Sequence, residues 1–279
     1  MIRKAVIPIA GLGTRLGPIG AAVPKALLPL VGADGRVRPV AHWICAELAS
    51  AGVESMALVH SPSQGEAVRR YFDAARAAGA GDLPPNIEWI AQDAPRGFGD
   101  AVLRARNFAA GEPVLVVLGD HIRLPASFGK ACAAQVVEAF ARHGGAAMVG
   151  MQVVDESELS LVGAAAGEPV APRVYRCTRL IEKPDVETAR QSLVTPGLAR
   201  GAYLAHAGLY AFTSEIFDCL ESLAAEGRGT GGELQLSDAQ SMLLERRPRD
   251  YYLLHVAGRV LDVGTAGGYA SAVAELAGR

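Results

Sequence analysis

Several marks of common protein classes are missing from this 279-residue chain. Basic residues are not in surplus, because 27 lysines and arginines stand against 29 acidic residues and leave a formal net charge of -2. Nucleic-acid-binding proteins more often carry a basic surplus or stripe, so we expect no nucleic-acid partner. An uninterrupted apolar run of the roughly 18 residues that a membrane span requires is also missing, and we expect no membrane association.

Cysteine pairs are absent as well. The chain has 4 cysteines, which lie far apart and form no Cys-x-x-Cys pair, so neither a zinc site nor a disulfide framework is indicated. We interpret them as buried thiols in a reducing compartment. A basic start is followed by an apolar run, but that run meets a glycine-rich segment too soon for a secretory signal. We therefore expect a cytoplasmic protein.

Short apolar runs alternate with longer amphipathic ones in the first half of the chain. The apolar runs are typical of strands buried on both faces, and the amphipathic runs are typical of helices. The predicted strands are residues 4–9, 55–59, 87–91, 113–118 and 146–151. The predicted helices are residues 40–51, 64–78, 99–109 and 127–143. This alternation indicates a mostly parallel sheet with helices on both faces.

The pattern changes after residue 151. More widely spaced segments follow, with predicted strands at residues 173–181, 205–212 and 250–256 and predicted helices at residues 214–223, 235–246 and 265–277. The Gly/Pro-rich segments 79–85 and 227–232 are predicted to be loops. We predict a single α/β domain over residues 1–279, with a Rossmann-like mixed, mostly parallel sheet flanked by helices. Residues 152–279 would form a smaller, partly antiparallel half that closes over the carboxyl edge of the sheet.

The segment after the first strand is glycine-rich and basic. It reads Ala-Gly-Leu-Gly-Thr-Arg-Leu-Gly over residues 10–17, and Lys25 follows in a Pro-Lys pair. Glycine lets the backbone approach a ligand closely, so that successive N–H groups converge on phosphate oxygens, while Arg15 and Lys25 add positive charge. The dinucleotide fingerprint does not fit, since Leu16 stands where its third glycine belongs, and neither does the Walker loop with its Gly-Lys-Ser/Thr. A phosphate-binding loop of another kind is indicated.

Two aspartates follow apolar runs that are far apart in the chain. Asp120 follows the apolar run 114–118 after Gly119. A carboxylate at the carboxyl end of a strand lies where open α/β sheets bind ligands. Asp262 precedes a turn and the last predicted helix. Each of them alone is also compatible with a helix cap or a turn. Together they offer two hard oxygen ligands for Mg²⁺, which takes few carboxylates and completes its shell with substrate phosphates.

These segments together resemble the sugar-1-phosphate nucleotidyltransferase family. Residues 4–15 and 23–30 are similar to the corresponding segments of bacterial UTP–glucose-1-phosphate uridylyltransferases, and the order of motifs agrees from Arg3 to about Leu276. The resemblance implies that a nucleoside triphosphate and a sugar 1-phosphate form a nucleoside-diphosphate sugar, above all UDP-glucose, and pyrophosphate, with Mg²⁺ as cofactor. Residues 1–151 would then bind the nucleotide and residues 152–279 the sugar. A thymidylyltransferase or another base and sugar specificity, and a non-catalytic nucleotide-sugar-binding regulatory homologue, stay open as alternatives.

The resemblance also assigns roles to individual residues. The implied catalytic cations are Arg15, Lys25 and Lys183, and the implied Mg²⁺ ligands are Asp120 and Asp262. The residues implied to bind the nucleotide are Ala10, Gly11, Gly13, Thr14, Gln92 and Gly97. Those implied to bind the sugar are Gly163, Glu182, Lys183, Gly208 and Glu233. Without the resemblance, the Glu182-Lys183 pair is compatible with ordinary solvated charge, and Glu233 with a helix cap.

The adjacent pair Glu182-Lys183 sets a condition that the fold must meet. Neighbouring residues of a strand point to opposite faces of the sheet, so both can reach one site only where the strand ends and the chain turns at Pro184. The chain departs from the family at Val162, where an aromatic residue is usual, and in segment 31–39, which replaces the usual Asp-Lys-Pro. A glycosyltransferase would usually carry Asp-x-Asp, which is missing here. Soluble enzymes commonly associate symmetrically, and we expect a homo-oligomer, either a dimer or a tetramer.

Overall fold

One sheet of nine strands forms the centre of the fold. The computed structural model describes residues 1–11, 13–126, 129–227 and 232–278. The strands within these residues are, in chain order, β1 (Lys4–Pro8), β2 (Pro29–Val31), β3 (Val37–Pro39), β4 (Ser55–His60), β5 (Asn86–Ala91), β6 (Val114–Val117), β7 (His121–Pro125), β8 (Ala147–Asp155), β9 (Gly163–Ala171), β10 (Val174–Glu182), β11 (Ala202–Phe212), β12 (Tyr251–His255) and β13 (Gly258–Asp262). The α-helices are α1 (Pro18–Ala22), α2 (Val40–Ser50), α3 (Pro62–Ala77), α4 (Phe98–Arg104), α5 (Arg106–Ala109), α6 (Cys132–His143), α7 (Val186–Ser192), α8 (Glu215–Ala225), α9 (Leu236–Arg246) and α10 (Ala266–Ala277).

The strand order across the large sheet is β5-β4-β1-β6-β11-β8-β12-β10-β9. The strands β5, β4, β1 and β6 pair in parallel, as expected for strands joined by helical crossovers. Antiparallel pairing begins at β11, which runs against both β6 and β8, whereas β12 pairs with β8 in parallel. The predicted α/β fold class, with its Rossmann-like mixed sheet flanked by helices, is confirmed.

The second half of the chain extends this sheet. β11 comes late in the sequence but lies between β6 and β8, so strands from both halves alternate in the middle of the sheet. The sequence predicts a second half that closes over the carboxyl edge of the sheet. The topology differs, because the long β11 lies within the sheet and hydrogen-bonds to the strands on both of its sides. The two-stranded ribbon of β7 and β13 lies outside the large sheet.

Two apolar cores lie on opposite faces of the sheet. Successive residues of β6 alternate between them: Leu115 and Val117 pack into the core that α2, α3, α6 and α10 cover, and Val116 packs into the core under α4, α8 and α9. The 4 cysteines are buried, as the sequence predicts. The described residues include no helix whose length and hydropathy would let it cross a bilayer.

The remaining differences from the sequence prediction concern short elements. The strands β2, β3, β7, β9 and β13 and the helices α1 and α7 are absent from the prediction, and the helix expected over residues 99–109 is divided into α4 and α5. The helix expected from residue 127 begins at Cys132, and residues 127–128 lie outside the described part of the chain. Residues 228–231 of the predicted loop 227–232 also lie outside the described part of the chain.

Candidate active site

Two adjoining cavities lie where β1 and β6 end. The first has a volume of about 370 Å³ and the second a volume of about 640 Å³. Phe98, Leu118 and Asp120 line both of them, so the two cavities share a wall. Since the carboxyl ends of the parallel strands are where open α/β sheets bind ligands, these cavities are the candidate active site.

The loop after β1 forms one wall of the first cavity. Ala10, Gly11 and Thr14 line it, as expected for a phosphate-binding loop. Gly13 is not among the lining residues, but it holds a left-handed backbone with φ of 65° that starts a 3-10 turn at Thr14. A residue with a Cβ is strained in that conformation, so glycine is needed here to bend the loop. Leu12 lies outside the described residues.

The β7–β13 ribbon brings the two aspartates together. Asp262, the last residue of β13, is the direct antiparallel partner of His121, the first residue of β7, and Asp120 immediately precedes that strand. The backbone N–H of Val263 donates to the carbonyl oxygen of Asp120 at 2.9 Å, which continues the ribbon by one step. Directly opposite residues of an antiparallel pair lie on the same face, so the ribbon places His121 beside Asp262. The side chain of Asp120 joins them, because its Oδ1 lies 2.8 Å from His121 Nδ1.

Two cations from the phosphate-binding segment meet these acids. Lys25 Nζ lies 2.5 Å from Asp120 Oδ2. Arg15 places one guanidinium nitrogen 3.2 Å from Asp262 Oδ2 and another 3.8 Å from Asp120 Oδ2. Burial alone would raise the pKa of Asp120, but the hydrogen bonds and charges of His121 and Lys25 outweigh burial and hold that pKa well below its usual range. Asp120 is therefore ionised at neutral pH.

The two aspartates and His121 together fit a divalent cation. Asp120, His121 and Asp262 each offer one ligand atom, and these atoms all lie within 4.8 Å of one another. Carboxylate oxygens are the ligands that Mg²⁺ prefers, and a site of few protein ligands leaves room for phosphate oxygens. The residues present are therefore compatible with the expected Mg²⁺ site.

Gln92 is held rigidly on the wall of the first cavity. Its side chain is buried, and its amide nitrogen donates to the carbonyl oxygen of Gly97 at 3.0 Å and to Asp100 Oδ2 at 2.7 Å. Gly97 has φ of 102° and packs against the backbone of Leu234, where a Cβ would clash. Sequence reasoning missed Asp100, although an acid in the first turn of α4 is a recognisable signal.

Glu182 and Lys183 both line the second cavity because the chain turns between them. Glu182 is the last residue of β10, and Lys183 has a left-handed backbone with φ of 46°. The backbone N–H of Lys183 donates to the carbonyl oxygen of Val162 at 3.2 Å. The predicted end of the strand at this pair is confirmed, and it explains how neighbouring side chains reach one cavity.

Gly163 lies opposite Glu182 in the β9–β10 pair and also lines the second cavity. A Cβ at Gly163 would lie 2.7 Å from Glu182 Oε2 and 2.9 Å from His206 Nδ1. Such a Cβ would force both side chains to move, so glycine preserves the shape of this wall. Desolvation by the surrounding protein raises the pKa of Glu182.

Two residues with an expected sugar role do not line the second cavity. Gly208, with φ of 70°, lies at an irregularity of the β11–β8 pair, and its carbonyl oxygen accepts from the N–H of Leu118 at 3.0 Å. It thus supports Leu118, which lines both cavities. Glu233 lines the first cavity, together with Gln92 and Gly97, because the segment before α9 packs on Gly97.

Sequence reasoning also missed two histidines on the second cavity, His121 and His206. His206 Nε2 is buried and has no hydrogen-bond partner among the described residues, and burial lowers the pKa of His206 to about 4. His121 Nδ1 lies 2.8 Å from Asp120 Oδ1. A single histidine in an apolar run carries little signal in a sequence, but a histidine next to Asp120 could have been noted as a third ligand candidate.

Comparison with known proteins assigns this arrangement to a family. The model of the nucleotidyl transferase family matches residues 4–278, which include both cavities and the ribbon. The chain belongs to the nucleotidyl transferase family. The family membership that the resemblance of residues 4–15 and 23–30 implies is thus confirmed.

Relatives of this nucleotidyltransferase have similar length. UTP–glucose-1-phosphate uridylyltransferase 2 of Staphylococcus saprophyticus is 32% identical over 292 residues, covering 99% of this chain and 92% of the relative. UTP–glucose-1-phosphate uridylyltransferase of Bacillus subtilis is 32% identical over 293 residues, covering 99% of this chain and 91% of the relative. The crystal structure of a UDP-glucose pyrophosphorylase complexed with UDP-glucose has a TM-score of 0.81 at 24% identity, covers 99% of this chain and 98% of its own, and shares the fold.

Proposed function

We propose that the protein transfers UMP from UTP to glucose 1-phosphate, forming UDP-glucose and releasing pyrophosphate. The observation that carries the proposal is the convergence of Arg15, Lys25 and Asp262 around Asp120, which lines both cavities. Two cavities suit two substrates, and the charged cluster between them suits the exchange of phosphate groups. The names of the relatives from Staphylococcus saprophyticus and Bacillus subtilis support UTP and glucose 1-phosphate as the substrates.

The proposed reaction is a direct in-line attack. An oxygen of the sugar phosphate attacks the α-phosphorus of UTP, the new P–O bond forms, and the bond to the β-phosphate breaks to release pyrophosphate. The nucleophile is already an anion, so a general base and a covalent intermediate are not needed. The difficulty is the approach of two anions, and catalysis then consists of positioning and charge neutralisation.

Three cations divide this task. Arg15 and the backbone of the loop after β1 hold the departing β- and γ-phosphates. Lys25 bridges the phosphates around the reacting phosphorus, and Lys183 holds the incoming sugar phosphate from the far side of the second cavity. The ion pairs of Arg15 and Lys25 with the two aspartates keep both cations at the site before substrate arrives.

Asp120 and Asp262 would hold the Mg²⁺ ion. The ion supplies charge neutralisation at the α-phosphate when it is bound. The ionised state of Asp120, which its depressed pKa ensures, keeps a negative ligand available at neutral pH. The proposed cofactor is thus supported by the chemistry of the side chains themselves.

The base and the sugar are recognised on opposite sides of this cluster. Gln92 and the backbone at Gly97 face the first cavity and are proposed to read the uracil edge. Uracil and thymine differ by one methyl group, which is worth only about 1–3 kcal/mol in an apolar pocket, so the preference for UTP rests on the relatives. Glu182 and Gly163 are proposed to face the sugar, with Gly208 supporting Leu118 and Glu233 reaching a sugar hydroxyl from the first cavity.

The cellular setting follows from the same proposal. Four buried cysteines, widely separated in the chain, support a cytoplasmic enzyme. Symmetric association is common among soluble enzymes and supports a homo-oligomer, a dimer or a tetramer.

Pyrophosphate release tests the proposed function. The purified protein is incubated with Mg²⁺, each of four nucleoside triphosphates and a panel of sugar 1-phosphates. We expect the highest kcat/KM for UTP with glucose 1-phosphate, and release that requires both substrates. A higher kcat/KM for dTTP would make the protein a thymidylyltransferase, and binding of UDP-glucose without any release would make it a non-catalytic homologue.

A further inference from the structure

We propose that His121 is a third protein ligand of the metal ion, so that the site combines one imidazole nitrogen with the carboxylates of Asp120 and Asp262. The proposal rests on the metal site of the proposed function and adds a residue that the pair of aspartates does not predict. The three side chains form a compact group of potential ligands at the shared wall of the two cavities.

The ribbon geometry places His121 for this role. His121 and Asp262 are directly opposite each other across β7 and β13, and Asp120 precedes His121 in the chain. Opposite residues of an antiparallel pair have Cβ atoms roughly 4.5–5.5 Å apart on one face. The imidazole is therefore fixed beside Asp262 by backbone pairing, and its contact with Asp120 Oδ1 at 2.8 Å fixes it beside the first aspartate.

The distances suit adjacent ligands of one ion. His121 Nδ1 lies 2.8 Å from Asp120 Oδ1. Two ligands at right angles on a cation with bonds of about 2.1 Å lie about 3 Å apart, which is close to this spacing. All three ligand atoms lie within 4.8 Å of one another. Two ligands on opposite sides of such an ion lie about 4.2 Å apart.

The other contacts of the acids are to cations and to one backbone N–H: Asp262 Oδ2 pairs with Arg15, and Asp262 Oδ1 accepts from the N–H of Gly264 at 2.8 Å. Asp120 Oδ2 pairs with Lys25 and faces Arg15, whereas Asp120 Oδ1 meets His121. A cation between Oδ1 and Nδ1 replaces the hydrogen bond that joins them, and the neutral imidazole then carries its proton on Nε2. The side chain of His121 is 16% exposed, so it is oriented by its surroundings and still open to the second cavity.

A nitrogen ligand changes which metals the site prefers. Carboxylate and water ligands suit Mg²⁺, whereas imidazole adds affinity for divalent ions such as Co²⁺ and Zn²⁺. The wild-type protein is therefore expected to prefer Co²⁺ over Mg²⁺ by a larger factor than a variant that lacks the imidazole. A histidine that only orients Asp120 through a hydrogen bond would not produce this change in relative affinity.

Pulsed EPR of bound Mn²⁺ tests the proposal directly, because a coordinated imidazole nitrogen modulates the signal of the ion. The probe is Mn²⁺ with the full-length protein, measured alone and with UDP-glucose. Two variants, His121→Leu and His121→Asn, remove the imidazole, and Asn retains a polar group next to Asp120. His206→Leu is the matched control, because it removes the other histidine of the same cavity.

We expect nitrogen coupling in the wild type and in His206→Leu, and its loss in both His121 variants, with a loss of Mn²⁺ affinity of about tenfold or more. Absence of nitrogen coupling from the wild type, no measurable Mn²⁺ binding, or coupling that persists in a folded His121 variant would each overturn the proposal. Pyrophosphate release from UTP and glucose 1-phosphate is measured in parallel. Turnover without nitrogen coupling refutes the ligand alone, and nitrogen coupling without turnover refutes the proposed function alone.

Discussion

The ammonium group of Lys25 lies 2.5 Å from the carboxylate of Asp120, although 95 positions separate them in the chain. The pair joins the segment after β1 to the segment after β6, two strands that are neighbours in the sheet. Arg15 adds a second link, to Asp262 at the end of β13. The cations and the acids of the proposed reaction therefore depend on one arrangement, in which the ends of β1 and β6 meet the β7–β13 ribbon.

Removal of the Lys25 charge is the first test of this arrangement. Lys25→Ala should lower kcat by a factor of about 10²–10³, because a preorganised cation next to the reacting phosphates is lost. Lys130→Ala is the matched control, since Lys130 has a largely exposed side chain and pairs with Glu138. Steady-state kinetics with UTP and glucose 1-phosphate measure both variants. An unchanged kcat in Lys25→Ala would refute the role of this lysine.

The wall formed by Gly163 gives a second prediction. Gly163→Ala puts a Cβ 2.7 Å from Glu182 Oε2, so Glu182 must move and the KM for glucose 1-phosphate should rise about tenfold or more, while the KM for UTP changes little. The expected factor corresponds to about 1.4 kcal/mol of lost binding. Gly81→Ala is the control, because a Cβ at Gly81 meets no neighbour. A similar rise in both KM values would show that this wall does not belong to the sugar side.

The anchor of Gln92 gives a third prediction. Asp100→Ala removes one of the two acceptors that hold the Gln92 amide, so the KM for UTP should rise by several-fold to tenfold, in keeping with the loss of about 1–1.5 kcal/mol for one hydrogen bond. The preference for UTP over CTP should fall as well. Asp93→Ala is the control, since its side chain is 76% exposed. If Asp100→Ala retained the wild-type UTP/CTP ratio, Gln92 would not read the base.

Buried His206 predicts a specific dependence of stability on pH. Burial lowers its pKa to about 4, whereas an unfolded histidine has a pKa of about 6.5. Between these values the unfolded state binds more protons than the folded state, so the free energy of unfolding falls as the pH decreases from 6.5 towards 4. The loss from this one group between pH 8 and pH 5 is about 2 kcal/mol.

Urea unfolding of the wild type and of His206→Gln at pH 8 and pH 5 measures this effect. The variant should lose about 2 kcal/mol less than the wild type over that interval, whatever its stability at pH 8. Equal losses in the two proteins would mean that His206 is not held in its neutral form by burial.

Much of the fold follows from patterns that are local in the sequence. Runs such as Val114–Val117, apolar at every position, become strands buried on both faces, and the alternation with helices predicts the parallel part of the sheet. The position of β11 is different, because the antiparallel insertion of a late strand between β6 and β8 depends on pairing partners that no local pattern specifies. The ribbon of β7 and β13 was missed for a related reason. Arg123 lies in the middle of β7 and masks its apolar pattern, and its pairing with Glu47, distant in the chain, is visible only in the fold.

The residues of the site also divide into those that the sequence reveals and those that only the fold reveals. Arg15, Lys25, Asp120 and Asp262 stand out through chemistry that a phosphate site needs, and all four meet in the fold. His121 gains its meaning from the register of the β7–β13 ribbon, which places it opposite Asp262. Similarly, the packing of the segment after residue 231 on Gly97 brings Glu233 to the first cavity, although the family resemblance implies a sugar contact. Residue types are readable from sequence, whereas cross-strand neighbours require the fold.

The central claim, that distant segments converge to neutralise phosphate charge around a metal ion, is tested most directly by Asp120→Asn. This change keeps the shape of the side chain but removes the negative ligand. Turnover of UTP and glucose 1-phosphate is measured over a titration of Mg²⁺, with Asp93→Asn as the exposed control. We predict that kcat falls by a factor of about 10² or more and that the Mg²⁺ concentration for half-maximal activity rises. Wild-type turnover with an unchanged Mg²⁺ requirement would contradict the account.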